Sequence, residues 1–337
     1  MKYPIKEAKA WARETLRDYF ITTTMPFNDD LSIDEAGLRH NTRHILAKRC
    51  VGGVYVGSIY QEFNALTLAE RKRAAEIVLE EVGGRVPVMA GISGNCMADV
   101  IELGNHAAAH GADLVMLWPP SLGLRTQQGV LEFYRRIASR LEIGMCVYAT
   151  GFGELGFRLT PDMLLELADI PGVCAVKEAS QSIAIYFETL SKVGDRIVVS
   201  MPAEEFWLAG RQLFGPRLST EVFMGTSRPL YCETAGIDWP SEFLAAARSG
   251  DVDTARDRML KIRGVADDMF GKTHARGAHD IALTKAITGF FGMATGPVRP
   301  PLSYPPAADI AEARDVLAMA GLLATEKTEA KAQLVGR

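Results

Sequence analysis

The sequence has no cysteine pair at CxxC spacing, no apolar run long enough to span a bilayer and no block of like charge. The first absence removes the usual redox and metal motifs of that type. Five scattered cysteines, Cys50, Cys96, Cys146, Cys174 and Cys232, then read as reduced and mostly buried thiols. The second absence, with a charged N-terminal stretch that lacks an apolar core, argues against a membrane span or a secretory leader. The third gives no sign of a nucleic-acid or membrane surface: 37 Lys and Arg are interspersed with 41 Asp and Glu, for a net charge of −4. With 48% hydrophobic and 23% charged residues, the composition is that of a globular enzyme expected in the cytoplasm.

What is present is a regular alternation of short apolar runs with longer segments of helical period, the pattern of repeated βα units. The runs fall at 20–24, 53–56, 86–90, 114–118, 145–148, 173–177, 197–201 and 221–224. Their centres are about 29 residues apart, close to the size of one βαβ unit. Eight strands at that spacing predict a TIM (β/α)8 barrel. Between them, 67–82 carries apolar positions at helical spacing behind a Thr67 cap with Glu70 at the capping-box position. The stretches 97–110 and 126–141 share that period, and Thr160-Pro161-Asp162 opens a further helix with proline at its first position. Beyond the eighth strand, 241–270, 278–291 and 307–323 form three helical stretches that a minimal barrel does not need. Gly296-Pro-Val-Arg-Pro-Pro301, between the last two, is neither regular helix nor central strand and is expected to brace the extension. The expected division is a barrel with a short N-terminal segment over 1–230 and a C-terminal helical extension over 231–337.

Barrel chemistry sits at the C-terminal ends of the strands. Lys177 closes the β-branched run that follows Pro171-Gly172 and is therefore expected half-desolvated in a cavity. Burial disfavours an ammonium and lowers its pKa, which makes the amine a nucleophile toward a carbonyl. The plainer alternative is a lysine that snorkels to solvent or pairs with Glu178. Tyr148, which taken alone reads as a core aromatic, ends the neighbouring strand, about 5 Å from strand six, where a phenol can shuttle protons for such an intermediate. Strand two ends in Gly57-Ser58-Ile59-Tyr60-Gln61-Glu62, where a glycine lets backbone amides approach an anion and the Ser58 hydroxyl donates to a carboxylate. Glu204 and Glu205, just past strand seven, suit a helix dipole better than acid–base work. His106 and His110 stand at i, i+4 spacing without an evident third ligand and read as solvated helix surface, so no metal is expected.

Thr24-Met-Pro-Phe27, Ser32-Ile-Asp34, Gly57-Ser58 with Glu62 and Leu66-Thr67, Tyr148, and Val176-Lys177-Glu178-Ala179 occur in an order that resembles the dihydrodipicolinate synthase and N-acetylneuraminate lyase superfamily of class I aldolases. The resemblance runs from about Phe20 to about Arg299. It implies a TIM barrel with a C-terminal helical extension, assembled as a homo-oligomer, a tetramer or a dimer. It further implies that Lys177 forms an imine with pyruvate or another 2-oxo acid, that Tyr148 relays protons, and that no cofactor is required. Gly57, Ser58, Ile59, Tyr60, Glu154 and Gly225 make up the expected substrate-binding set.

The departures from the family pattern concern substrate choice. Ile59 replaces the second of two hydroxyl residues that hold the 2-oxo carboxylate, and Tyr60-Gln61 occupies the place of one glycine. Tyr148 and Lys177 are one position further apart than is usual, with the extra residue expected within 151–156. That loop carries Glu154 and no arginine before Arg158, whereas the synthase grips its second carboxylate with an arginine there. A carboxylate facing a carboxylate costs on the order of 1 kcal/mol, which argues against dihydrodipicolinate synthesis. The strand-four end, Trp118-Pro119-Pro120-Ser121, lacks the synthase's interface tyrosine. With Phe152 and Phe157 it suggests an apolar pocket similar to that of the hydratase-aldolases, which cleave arylidene pyruvates into an aromatic aldehyde and pyruvate. A 2-oxo-3-deoxy sugar acid dehydratase and a non-catalytic metabolite-binding relative are the alternatives.

Overall fold

The computed structural model describes residues 3–121, 125–150, 157–275 and 280–323, which fall into two compact units. The first comprises residues up to 23, 45–47 and 51–226. Its eight strands are β1 (Asp18–Ile21), β2 (Val51–Val56), β3 (Val88–Gly91), β4 (Leu114–Leu117), β5 (Gly144–Thr150), β6 (Val173–Ala179), β7 (Val198–Ser200) and β8 (Val222–Thr226). Each lies within a few residues of its expected apolar run. All are parallel and pair in the order β7-β6-β5-β4-β3-β2-β1-β8. The β7–β8 seam is bridged by side chains: the Met224 amide donates to Ser200 Oγ (2.9 Å), and Thr220 Oγ1 donates to the Val199 carbonyl (3.2 Å). The result is a nearly closed TIM barrel.

The helix signals were written locally. Leu68–Val82 begins with the full capping box, Thr67 accepting from the Glu70 amide while the Glu70 carboxylate takes the Thr67 amide. Thr126 and Thr160 cap Gln127–Ala138 and Pro161–Leu167 more simply, their hydroxyls accepting from the Gly129 and Met163 amides. The N-terminal segment packs across the strand beginnings. Tyr3 donates to the Asp113 carbonyl (2.5 Å), accepts from the Gly144 amide (3.2 Å) and stacks on Trp11 (4.4 Å). Ala8, Ala12 and Leu16 join the same buried core as Met116 and Cys146.

The second unit contains residues 24–44, 48–50 and 227 onward. The expected single helix at 241–270 is two helices, Trp239–Ser249 and Val252–Ala275. Gly250 takes the left-handed conformation (φ 82°) that ends the first, and Asp251 Oδ1 accepts from the Thr254 amide to start the second. Asp280–Thr288 and Ala307–Met319 complete the set of longer helices after β8 among the described residues. The segment 296–301 is irregular, as expected, and packs within its own unit. Arg299 donates to the Leu31 carbonyl (Nε, 3.0 Å) and lies 4.6 Å over the Phe27 ring, and Lys285 reaches the Pro297 carbonyl. Among the described residues no helix is long and apolar enough to cross a membrane, and Cys50, Cys146, Cys174 and Cys232 are buried free thiols while Cys96 is exposed.

Candidate active site

The alternation of side chains along a strand decides what enters the barrel. On β6, Ala175 packs into the interior core, so Lys177, two positions on, points inward as well. Glu178 takes the opposite face, where it accepts from the Ser180 amide (2.8 Å) and from Thr189 Oγ1 (3.2 Å). Glu178 is thus committed elsewhere, and Lys177 does not snorkel, being 8% exposed. Lys177 Nζ donates to the Gly225 carbonyl (3.3 Å) and stands 5.0 Å from the centre of the Tyr148 ring, its register partner on β5. No carboxylate is among the groups that shift its titration. Desolvation lowers its pKa from 10.5 to about 8, and the nearby Cys146 thiol opposes this only in part. The amine is therefore partly neutral near physiological pH.

Gly225 is the floor under that amine. Its φ is 69°, and a Cβ built there would lie 2.8 Å from Lys177 Nζ and 3.0 Å from Tyr55 Cδ1. We expect Gly225→Ala to cost about 1–2 kcal/mol of stability from the left-handed backbone alone. It should also lower turnover by displacing the amine, so thermal melts and kcat/KM measured on one preparation check both effects.

Aromatic rings build one wall. Trp118, immediately after β4, stacks on Tyr148 (4.5 Å between centres, 19° between planes) and meets the edge of Phe63 (5.5 Å). Arg71 lies over Phe63 (5.1 Å) and is anchored to the Ser93 and Gly91 carbonyls (2.8 and 3.2 Å), with burial lowering its pKa to about 10. Tyr55, fully buried beneath, has its hydroxyl pKa raised by desolvation and stays protonated.

The strand-two loop is rearranged in a way the sequence did not disclose. Gly57, at φ 75°, gives its amide to Gln61 Oε1 (2.6 Å) across a tight turn over Ile59–Gln61. Ile59 is partly buried against the barrel core, and Tyr60 is half-buried in the same turn. The buried Ser58 hydroxyl is 2.5 Å from the hydroxyl of Thr22, which follows β1. Thr22 thus places a second hydroxyl beside Ser58. Its only sequence signal was the run Thr22-Thr23-Thr24 at a strand end. Glu154 lies outside the described residues, as does Phe152. Glu204 accepts from the Tyr19 hydroxyl (3.1 Å) and is not part of the Lys177 group.

The Dihydrodipicolinate synthetase family model matches residues 16–216, more than half of the chain. The chain belongs to that family. Family members are lyase-type enzymes built on this barrel. Two relatives illustrate the range of names within reach. A 4-hydroxy-tetrahydrodipicolinate synthase of Methanothrix thermoacetophila is 28% identical over 301 residues, covering 89% of this chain and 96% of the relative. A probable 5-dehydro-4-deoxyglucarate dehydratase of Bradyrhizobium diazoefficiens is 29% identical over 296 residues, covering 85% and 87%. Among solved structures, YagE from E. coli, a prophage protein of the dihydrodipicolinic acid synthase family in complex with pyruvate, aligns with TM-score 0.79 at 21% identity over 90% of this chain and 98% of its own.

Proposed function

We propose that this family member is a class I lyase that acts on a 2-oxo acid through an imine on Lys177. The observation that carries the reading is the buried amine of Lys177, with its pKa near 8, registered against Tyr148 and not neutralised by a carboxylate among the described residues. Neutral Nζ attacks the C2 ketone, and the carbinolamine loses water with proton transfers through Tyr148. The resulting iminium draws electrons from the C3–C4 bond of a 4-hydroxy-2-oxo acid. The 4-hydroxyl gives up its proton, the aldehyde leaves, and an enamine remains on Lys177. Protonation at C3 and hydrolysis return pyruvate and the free amine, so the cycle balances without an external oxidant or reductant. An arylidene pyruvate enters the same cycle after water adds to C4.

On this reading the 2-oxo carboxylate is held by the Ser58 and Thr22 hydroxyls, which lie 2.5 Å apart. The Trp118, Phe63 and Tyr148 rings favour an aromatic or otherwise apolar aldehyde on the far side of the scissile bond. A second reading, dehydration of a 2-oxo-3-deoxy sugar acid, is favoured by the name of the Bradyrhizobium relative. Turnover of arylidene pyruvates but not sugar acids selects the first, and the reverse selects the second. A cytoplasmic homo-oligomer belongs to the same proposal.

Borohydride reduction in the presence of pyruvate tests the core of this reading. The expected product carries one pyruvyl adduct, mapped by peptide mass to Lys177. Because the attacking species is the neutral amine, the trapping rate should climb as pH rises toward about 8 and level off above it. An adduct on another lysine, or none with any of a panel of 2-oxo acids, would overturn the assignment.

A further inference from the structure

On the outer surface of the barrel unit, Glu76 on Leu68–Val82 meets His106 on Met97–Ala109 and His110, the residue that caps that second helix. One donor atom from each lies within 4.8 Å of the other two. His106 Nε2 is 3.1 Å and His110 Nε2 4.0 Å from the same carboxylate oxygen, Glu76 Oε1. The other oxygen, Oε2, is engaged by Arg73 at 3.2 Å, which fixes the orientation of the carboxylate. His110 Nδ1 is 2.8 Å from the His106 carbonyl. Since a carbonyl only accepts, Nδ1 donates there, which leaves Nε2 as the ring nitrogen nearer Glu76. Those are the outer contacts that ordinarily orient metal ligands.

An ordinary ion pair explains the group less well. His106 Nε2 is buried and, despite its 3.1 Å separation from Glu76 Oε1, is out of line for a hydrogen bond and has no such partner among the described residues. Two imidazole nitrogens and a carboxylate oxygen gathered within 4.8 Å of one another are the donor set of a divalent transition metal, with nitrogen and oxygen ligands of intermediate softness. Neighbouring donors around tetrahedral zinc, with bonds of about 2.0–2.2 Å, are about 3.3 Å apart. The Glu76–His106 separation of 3.1 Å is close to that value, and His110 Nε2, at 4.0 Å, is within 1 Å of it.

We propose that Glu76, His106 and His110 form a zinc-type metal site that clamps these two helices together, with its remaining coordination position open to water. The test is titration of the full-length protein with zinc chloride against a chromogenic chelator, in a Cys96→Ser background that removes the exposed thiol. The expected result is one tightly held equivalent, weakened at least about tenfold in both His110→Ala and Glu76→Gln. Zinc should also raise the melting temperature of the parent but not of His110→Ala, a substitution at a half-exposed position that leaves the fold in place. Cobalt(II) in the parent should show ligand-field bands of a nitrogen–oxygen site that His110→Ala loses. No retained zinc in the parent, or binding and melting shifts unchanged in both variants, would overturn the proposal.

Discussion

Replacing Lys177 with methionine is expected to abolish turnover and, at the same time, to make the protein more stable. The side chain occupies the barrel interior at 8% exposure, and desolvation holds its pKa at about 8 against 10.5 for a free lysine. The unfolded chain binds this proton up to about pH 10.5, whereas the folded chain binds it only below about pH 8. Between those values the unfolded state holds more protons, so the stability of the parent rises with pH there. Below pH 8 both states are protonated and the folded state carries the whole penalty, on the order of 3 kcal/mol. Methionine keeps the aliphatic volume and removes the charge, which avoids the cavity an alanine would leave. Its advantage should be largest at pH 7 and fade toward pH 10.5. Urea unfolding of both proteins at pH 7 and pH 10 measures this difference. A methionine variant no more stable than the parent at pH 7 would mean that the amine is not held against solvation. A methionine variant that retained activity would remove Lys177 from the chemistry. The combination of lost activity and gained stability is the mark of a strained catalytic group, whose cost the rest of the barrel offsets.

The barrel was legible because its signals are local. Each strand is an apolar, β-branched run bounded by turn residues, and each capped helix announces itself through residues such as Thr67 and Glu70. Lys177 and Tyr148 stood out for a related reason: both are polar residues at strand ends, and the parallel register that makes them neighbours follows once adjacent strands are assigned. Contacts that depend on side chains meeting across elements were not legible. Thr22 joins Ser58 only because β1 lies beside β2, and Gln61 captures the Gly57 amide only in the tight turn that this loop adopts. The third donor beside His106 and His110 lies 30 positions earlier on another helix, beyond any spacing rule. Within the C-terminal helices, the period of 241–270 runs on across Gly250, whose left-handed backbone, with the Asp251 cap, separates the two helices.

Replacing Tyr148 with phenylalanine should lower kcat by roughly 10²–10⁴-fold while leaving the site's architecture in place. The phenylalanine ring retains the stacking surface for Trp118, and the ring face that Lys177 Nζ approaches is unchanged apart from the lost oxygen. The affinity for the 2-oxo acid should accordingly stay near that of the parent, because the carboxylate is assigned to Ser58 and Thr22 and not to the phenol. Borohydride should still label Lys177 in the variant, although more slowly, since the amine attacks without the phenol but dehydration of the carbinolamine loses its proton donor. That split separates a proton relay from a packing residue: unchanged kcat would reduce Tyr148 to a ring that supports Trp118. A matching loss of kcat and of substrate affinity would point instead to a collapsed wall. Trp118→Leu is the complementary variant. It removes the stack but keeps the phenol, so it should weaken selection for an aromatic aldehyde far more than it slows cleavage of a small one. If the two variants instead affected the same kinetic constant to the same extent, the wall and the relay would act as one unit, and the separate roles assigned to them would fail together.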